Sequence, residues 1–191
     1  AGSDAMSAFA TKIACGLDFY LTGLKIAGFY LYLYVMKVKA LFPGSFDPFT
    51  SGHLNILRRA LTMFDEVTVA VGINQDKRGF FTGEQKLDII RQTVRGIDNV
   101  VIMQYDGLTV DICRELGVRH IVRGVRNMTD FDNEQAIADA NRHLAPEVDT
   151  IIIPTAQGYS HISSSAVRDV VRHHGDLSQF IPKGVSLPEV R

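Results

Sequence analysis

Net charge, paired cysteines, repeats and a Walker-type phosphate loop are all missing from this chain, and each absence removes a class of function. Twenty lysines and arginines against 21 aspartates and glutamates leave a formal charge of −1, so no global basic field points to nucleic acid. The only cysteines are Cys15 and Cys113. They form neither a metal nor a redox spacing, and a reducing cytoplasm is the simplest setting. No repeat, linker or low-complexity stretch divides the chain. Position 1 is not methionine: Ala1-Gly2-Ser3-Asp4-Ala5 reads as a cloning remnant. A secretory n-region is missing, and no Ala-x-Ala site follows the first apolar run.

That run, Leu17 to Val35, is broken by Asp18, Thr22 and Lys25. A membrane span needs about 20 mostly apolar residues, a length this stretch only just reaches. Three readings stay open: a translated upstream segment with Met36 as the natural start, a packed extra helix or strand, or a membrane anchor, which ranks last. Tyr30-Leu31-Tyr32-Leu33-Tyr34-Val35 either extends the first strand or is an exposed, aggregation-prone segment. Residues 1–35 are therefore read as an extension, partly non-native, and residues 36–191 as one domain. A chain of 191 residues, 46% apolar and 21% charged, buries roughly 70% of its unfolded surface without disulfide or metal.

From Met36 onward strand and helix patterns alternate. Strands are predicted at Val38–Phe42, Glu66–Val71, Val100–Met103, His120–Val122 and Thr150–Ile153. Several are near-continuous Val/Ile runs, as parallel strands covered on both faces require. Helices are predicted from Leu54 to Phe64, from the Thr82/Gln85 capping box through Arg95, over Leu108–Leu116 up to Gly117, over Asp132–Leu144 and over Ser164–His173. The alternation predicts an α/β fold: a doubly wound (Rossmann-like) parallel five-stranded sheet with helices on both faces. Ligands of such sheets sit beyond the carboxyl ends of the strands.

The residues at those ends carry the chemistry. After the first strand comes Gly44-Ser45-Phe46-Asp47-Pro48-Phe49-Thr50-Ser51-Gly52-His53, a turn into a helix. Gly44 and Gly52 are expected to let backbone approach a ligand. The helix start offers unpaired N–H groups and a positive dipole end to a phosphate, with His53 as a further donor. Taken alone, such a turn is common and a lone histidine is usually a surface residue. Asn74-Gln75-Asp76-Lys77-Arg78 follows the second strand, Arg123-Gly124-Val125-Arg126 the fourth, and Tyr159-Ser160-His161-Ile162-Ser163-Ser164-Ser165 the fifth. Each has a bland alternative: a solvated loop, surface ion pairing, or simple N-capping of the last helix. Their convergence on one crevice favours an anion site. Gly158-Tyr159-Ser160-His161-Ile162 lacks the second glycine of a nucleophile elbow. His173-His174 fits a cationic helix end better than a metal site, and the sequon Asn127-Met128-Thr129 is idle in a cytoplasmic protein.

Pro43-Gly44-Ser45-Phe46-Asp47-Pro48, Thr50-Ser51-Gly52-His53, Arg123-Gly124-Val125-Arg126, Asp130-Phe131 with Glu134, Asn141-Arg142 and Ile162-Ser163-Ser164-Ser165 together resemble the bacterial phosphopantetheine adenylyltransferases. These are nucleotidyltransferases with a (T/H)-x-G-H turn. The resemblance runs from about Met36 to Pro182, and Thr50 separates the chain from relatives with H-x-G-H. It implies a single nucleotidyltransferase domain that makes dephospho-coenzyme A and pyrophosphate from ATP and 4′-phosphopantetheine. It implies His53, Ser45, Lys77, Arg126 and Ser164 as catalytic residues. The ATP site would comprise Ser45, Phe46, His53, Gly124, Val125, Arg126, Glu134 and Tyr159 through Ser165 (Tyr159, Ser160, His161, Ile162, Ser163, Ser164, Ser165). Ser45, Lys77, Thr109 and Arg123 would hold phosphopantetheine. Mg²⁺ would be bound through ATP phosphates, with no ligand from protein side chains. A cytoplasmic homohexamer is implied, with coenzyme A as a feedback ligand and with neither nucleic acid nor membrane as partner. Ser45 replaces the usual Thr and keeps the hydroxyl, Thr109 replaces a usual Leu, and Gln85-Lys86 replaces a usual Glu-Arg pair that looks structural. The alternatives are a related nucleotidyltransferase with another phosphorylated acceptor, or a non-catalytic nucleotide-binding regulator.

Overall fold

The structure is a computed structural model that describes residues 37–73 and 79–189. The extension, with its three readings, and Lys77 and Arg78 lie outside the described residues. In chain order the elements are β1 (Lys39–Gly44), α1 (Ser51–Ala60), β2 (Glu66–Gly72), α2 (Gly83–Thr93), β3 (Val100–Tyr105), α3 (Thr109–Leu116), β4 (His120–Val125), α4 (Met128–Leu144), β5 (Asp149–Pro154) and α5 (Ser164–Arg172). All strand pairs are parallel, in the order β3-β2-β1-β4-β5. The chain winds outward from β1 through β2 to β3, then returns to add β4 and β5 on the other side. Strand order therefore reverses between β1 and β4.

Strand side chains alternate between two cores. Ala40 and Phe42 of β1, Val67, Val69 and Val71 of β2, and Val122 of β4 pack with Leu57 and Ala60 of α1 and with Ile89 and Ile90 of α2. Leu41, Ala70 and Ile121 face the opposite way and pack with Val110 and Cys113 of α3. Residues 40–42 are 0–3% exposed, which explains why β1 reads as a continuous apolar run rather than an alternating one. Burial pushes the Cys113 thiol up to about 11, so it packs as a small hydrophobe. No helix among the described residues is long and apolar enough to cross a membrane.

Each predicted element exists, with shifted ends. α2 opens on the expected box: Thr82 Oγ1 accepts from Gln85 N, and Gln85 Oε1 accepts from Thr82 N. Lys86, read as structural, pairs with Asp47 at 3.5 Å. Gly117 ends α3 at φ 63°. α1 starts at Ser51, earlier than apolar spacing alone indicates, because Thr50 caps it. α4 starts at Met128 because Asn127 accepts from Asp130 N. β4 runs to Val125, so Arg123, Gly124 and Val125 lie on the strand rather than in the loop after it. Pairing with Ile152, Ile153 and Pro154 of β5 keeps them there.

Candidate active site

A cleft of about 570 Å³ opens where the strand order reverses, beyond the carboxyl ends of β1 and β4. That is the size of a small-molecule site in the place an open α/β sheet provides one. Its walls come from the β1–α1 turn, the end of β4, the first turns of α4 and the start of α5.

The β1–α1 turn fixes His53. Thr50 Oγ1 accepts from His53 N at 3.4 Å, while the ring Nδ1 accepts from Thr50 N at 3.0 Å. This is a capping box with histidine in the place usually held by Glu or Gln. Because Nδ1 is the acceptor, the hydrogen-bond network assigns the proton of the neutral ring to Nε2. The rings of Phe46 and Phe49 lie 5.1 and 5.2 Å away, centroid to centroid, and Phe42 lies at 6.5 Å. Burial, with the Arg123 and Arg126 charges adding to it, lowers the His53 pKa to about 4. His53 is therefore a neutral N–H donor near pH 7.

One expectation about this turn needs correction. The α1 start does not offer a full set of unpaired N–H groups. Ser51 N donates to Phe180 O at 2.8 Å and His53 N to Thr50 Oγ1, which leaves Gly52 N–H. Gly44 does line the cleft, and its missing side chain also leaves room for the Phe46 ring: a Cβ there would lie 2.8 Å from Cζ of Phe46. Gly52 differs. A Cβ on it would meet protein atoms only at ordinary contact distances, 3.5 Å or more, so no protein contact demands glycine there.

Two arginines reach the cleft already paired. Arg123 Nε and Nη2 donate to Glu134 Oε2 and Oε1 at 2.7 and 2.6 Å, and Nη1 donates to Pro43 O. Arg126 Nε and Nη2 donate to Asp130 at 2.8 and 3.1 Å. Hydrogen bonding to Arg126 holds the Asp130 carboxyl below the usual carboxylate range. At the α5 start, Ser164 Oγ donates to Pro48 O at 2.8 Å and Ser163 caps the helix through Ala166 N.

The structure brings Ser45, Phe46, His53, Arg123, Gly124, Arg126, Glu134 and Ile162 through Ser165 together around this cleft. Ser45 is exposed on its rim. The Phe46 side chain is 2% exposed, so a ligand would meet mainly its backbone. Val125 is buried and does not line the cleft. Tyr159, Ser160 and His161 also stay outside it; the His161 ring packs edge-on to Phe180 at 6.1 Å. Thr109 begins α3 beyond β3, with its hydroxyl 3.0 Å from Tyr105 Oη, and does not line this cleft. Arg168, Asn133 and Thr155 line it without having been singled out from sequence. For Arg168 a signal existed, since it lies one helical turn after Ser164.

Known proteins resemble this chain as follows. Residues 41–170 match the family described as Cytidylyltransferase-like. A phosphopantetheine adenylyltransferase of Flavobacterium psychrophilum is 46% identical over 147 residues, which is 77% of this chain and 97% of that one. One of Levilactobacillus brevis is 44% identical over 77% of this chain and 91% of its own length. One of Porphyromonas gingivalis is 45% identical over 78% and 96%. Among solved structures, a bifunctional NMN adenylyltransferase/ADP ribose pyrophosphatase from Francisella tularensis superposes with a TM-score of 0.60 at 18% identity. That likeness covers 76% of this chain and 45% of that one, and concerns the fold.

Proposed function

This chain belongs to the phosphopantetheine adenylyltransferases within the cytidylyltransferase-like family, and on that premise we propose how its cleft transfers the adenylyl group of ATP to 4′-phosphopantetheine. A phosphate oxygen of the acceptor attacks the α-phosphorus of ATP. The new O–P bond forms as the bond from the α-phosphorus to the α,β-bridging oxygen breaks. Pyrophosphate leaves and dephospho-coenzyme A remains. The acceptor phosphate is largely dianionic near neutral pH, its second pKa being about 6, so no general base is needed. The protein's task is to bring two anions together and to stabilise charge as it develops.

His53 carries this reading. A neutral imidazole with its proton on Nε2, caged by phenylalanines and flanked by arginines, is a preset N–H donor for the α-phosphate that needs no added proton to donate. Ser45 orients the attacking phosphate and Arg123 holds it, together with Lys77. The backbone near Thr109 meets the pantetheine arm. Gly124, Arg126 and Glu134 serve ATP, and Ile162 through Ser165, which line the cleft, meet its phosphates. The Glu134 and Asp130 carboxylates are committed to arginines, which suits a magnesium ion held by the triphosphate and water rather than by a protein cage. That ion would neutralise part of the phosphate charge. A cytoplasmic homohexamer with coenzyme A feedback belongs to the same reading and rests on the family resemblance.

The test is pyrophosphate release with Mg-ATP, with and without 4′-phosphopantetheine, and with nicotinate mononucleotide as control. Release that depends on phosphopantetheine is expected. Absence of release in a folded, ATP-binding sample would mean a binding protein.

A further inference from the structure

Asp47 is the one charged side chain among the buried polar residues described, and the reading above gives it no task. Its two carboxylate oxygens accept from consecutive backbone groups, Phe80 N at 2.8 Å and Phe81 N at 2.9 Å. Lys86 Nζ lies 3.5 Å away, and both side chains are nearly buried. The Asp47 carbonyl accepts from Arg168 Nη1 at 2.7 Å, and the next carbonyl, Pro48 O, accepts from Ser164. The turn is thus tied to the chain entering α2 and to α5.

The residue just before this anchor is Phe46, at φ 41°, a conformation that bulky residues rarely hold without support from their surroundings. The Phe46 ring stands edge-on to the His53 imidazole at 5.1 Å. A buried carboxylate is costly unless it is fully paired, and a neutral Asn or Ser can also hold a turn. What the carboxylate adds is acceptance from two adjacent amides and a lysine at once.

We propose that Asp47 is a positioning residue for adenylyl transfer: its carboxylate fastens the Phe46 turn to residues 80 and 81, and so holds the Phe46 ring and the His53 imidazole in their working arrangement. This rests on the reading of His53 as the α-phosphate donor. Asp47 itself lines no part of the cleft.

Asp47→Asn is the variant to make. It keeps the shape but turns an NH₂ group toward one of the backbone donors and leaves Lys86 unpaired. With the protein confirmed folded, kcat is expected to fall at least ~10-fold at a nearly unchanged KM for ATP, the pattern of lost transition-state stabilisation. The His53 ring, followed by NMR, should titrate closer to its ordinary value as the cage loosens. On a His53→Ala background the same change should lower kcat by less than about twofold, because the two residues act as a unit. A folded Asp47→Asn protein with kcat within about twofold of wild type and an unshifted His53 titration would overturn the proposal. So would an equal loss of kcat with and without His53. Should the variant fail to fold, amide exchange on the wild type decides: Phe80 and Phe81 should exchange as slowly as the central strands, and rapid exchange would overturn the anchor. A wild-type protein without adenylyl transfer would defeat the reading of His53, while His53 titration and amide exchange would still decide whether Asp47 anchors the turn.

Discussion

His53 sits among Phe42, Phe46 and Phe49 with its Nδ1 accepting from Thr50 N, and a definite pH behaviour follows. Its folded pKa of about 4 lies below the unfolded value of 6.5. The unfolded chain therefore binds the extra proton first as pH falls. The stability tied to the neutral ring is fully present above 6.5 and is lost between 6.5 and 4, amounting to about 3 kcal/mol at most. Urea unfolding at pH 7 and pH 4.5, beside an NMR titration of the ring, measures it; a ring titrating near 6.5 would contradict the geometry. In catalysis, His53→Ala should lower turnover at least ~100-fold with little change in the KM for ATP, and near-normal turnover would remove His53 from its role. Gly52→Ala separates ligand space from protein packing. Because the new Cβ meets only ordinary contacts at 3.5 Å or more, the melting temperature should hold while the KM for ATP rises. An unchanged KM would mean that no ligand comes close at Gly52. The sequence showed His53, Ser45 and the arginines as candidates because they form compact motifs. It did not show that Gly44 makes room for Phe46, since a ring two residues along folds back only in this particular turn.

Among the elements, β4 differs most from what its composition suggests. Arg123-Gly124 reads as loop, yet both residues pair with β5. Gly124 is required there because a Cβ would lie 2.7 Å from Cγ1 of Ile56 on α1. Ile56 is 2% exposed, so a Cβ at Gly124 would force this packed side chain or α1 to shift. Gly124→Ala should therefore cost about 1–3 kcal/mol of stability. It should also lower turnover, because the helix it pushes carries His53; thermal melts and steady-state kinetics on one preparation read both. Normal stability in that variant would mean that α1 does not pack this closely on β4. Helix interiors and stops were legible where the signal is local, as at Thr82/Gln85 and Gly117. The early starts of α1 and α4 were less so, because capping by Thr50 and Asn127 extends helices beyond their apolar faces.

In the whole molecule, the C-terminal segment binds distant parts together. Phe180 O takes the Ser51 N–H at the start of α1. Ile181 is 6% exposed, and Val185 and Leu187 pack against the core of β1, β2 and α1. Gln92 of α2 donates to Ser186 O and accepts from Ser186 N. Removing residues 177–191 should cost roughly 2–5 kcal/mol, as loss of a large buried side chain does, and should lower turnover by freeing the α1 start. A truncated protein with unchanged melting temperature and kcat would show the segment to be dispensable. The amino-acid order alone determined the βα alternation, the parallel sheet and the motifs at the strand ends from which an anion site was read, because hydrophobic period, caps and turn residues act over a few positions. Only the tertiary structure decided which strands flank the cleft, that Glu134 and Asp130 hold Arg123 and Arg126, that Tyr159, Ser160 and His161 stay outside, and that Asp47 ties the first turn to α2. Those contacts join segments far apart in the chain or depend on how helices and strands are placed, and their geometry is set by packing across the sheet rather than by local preference.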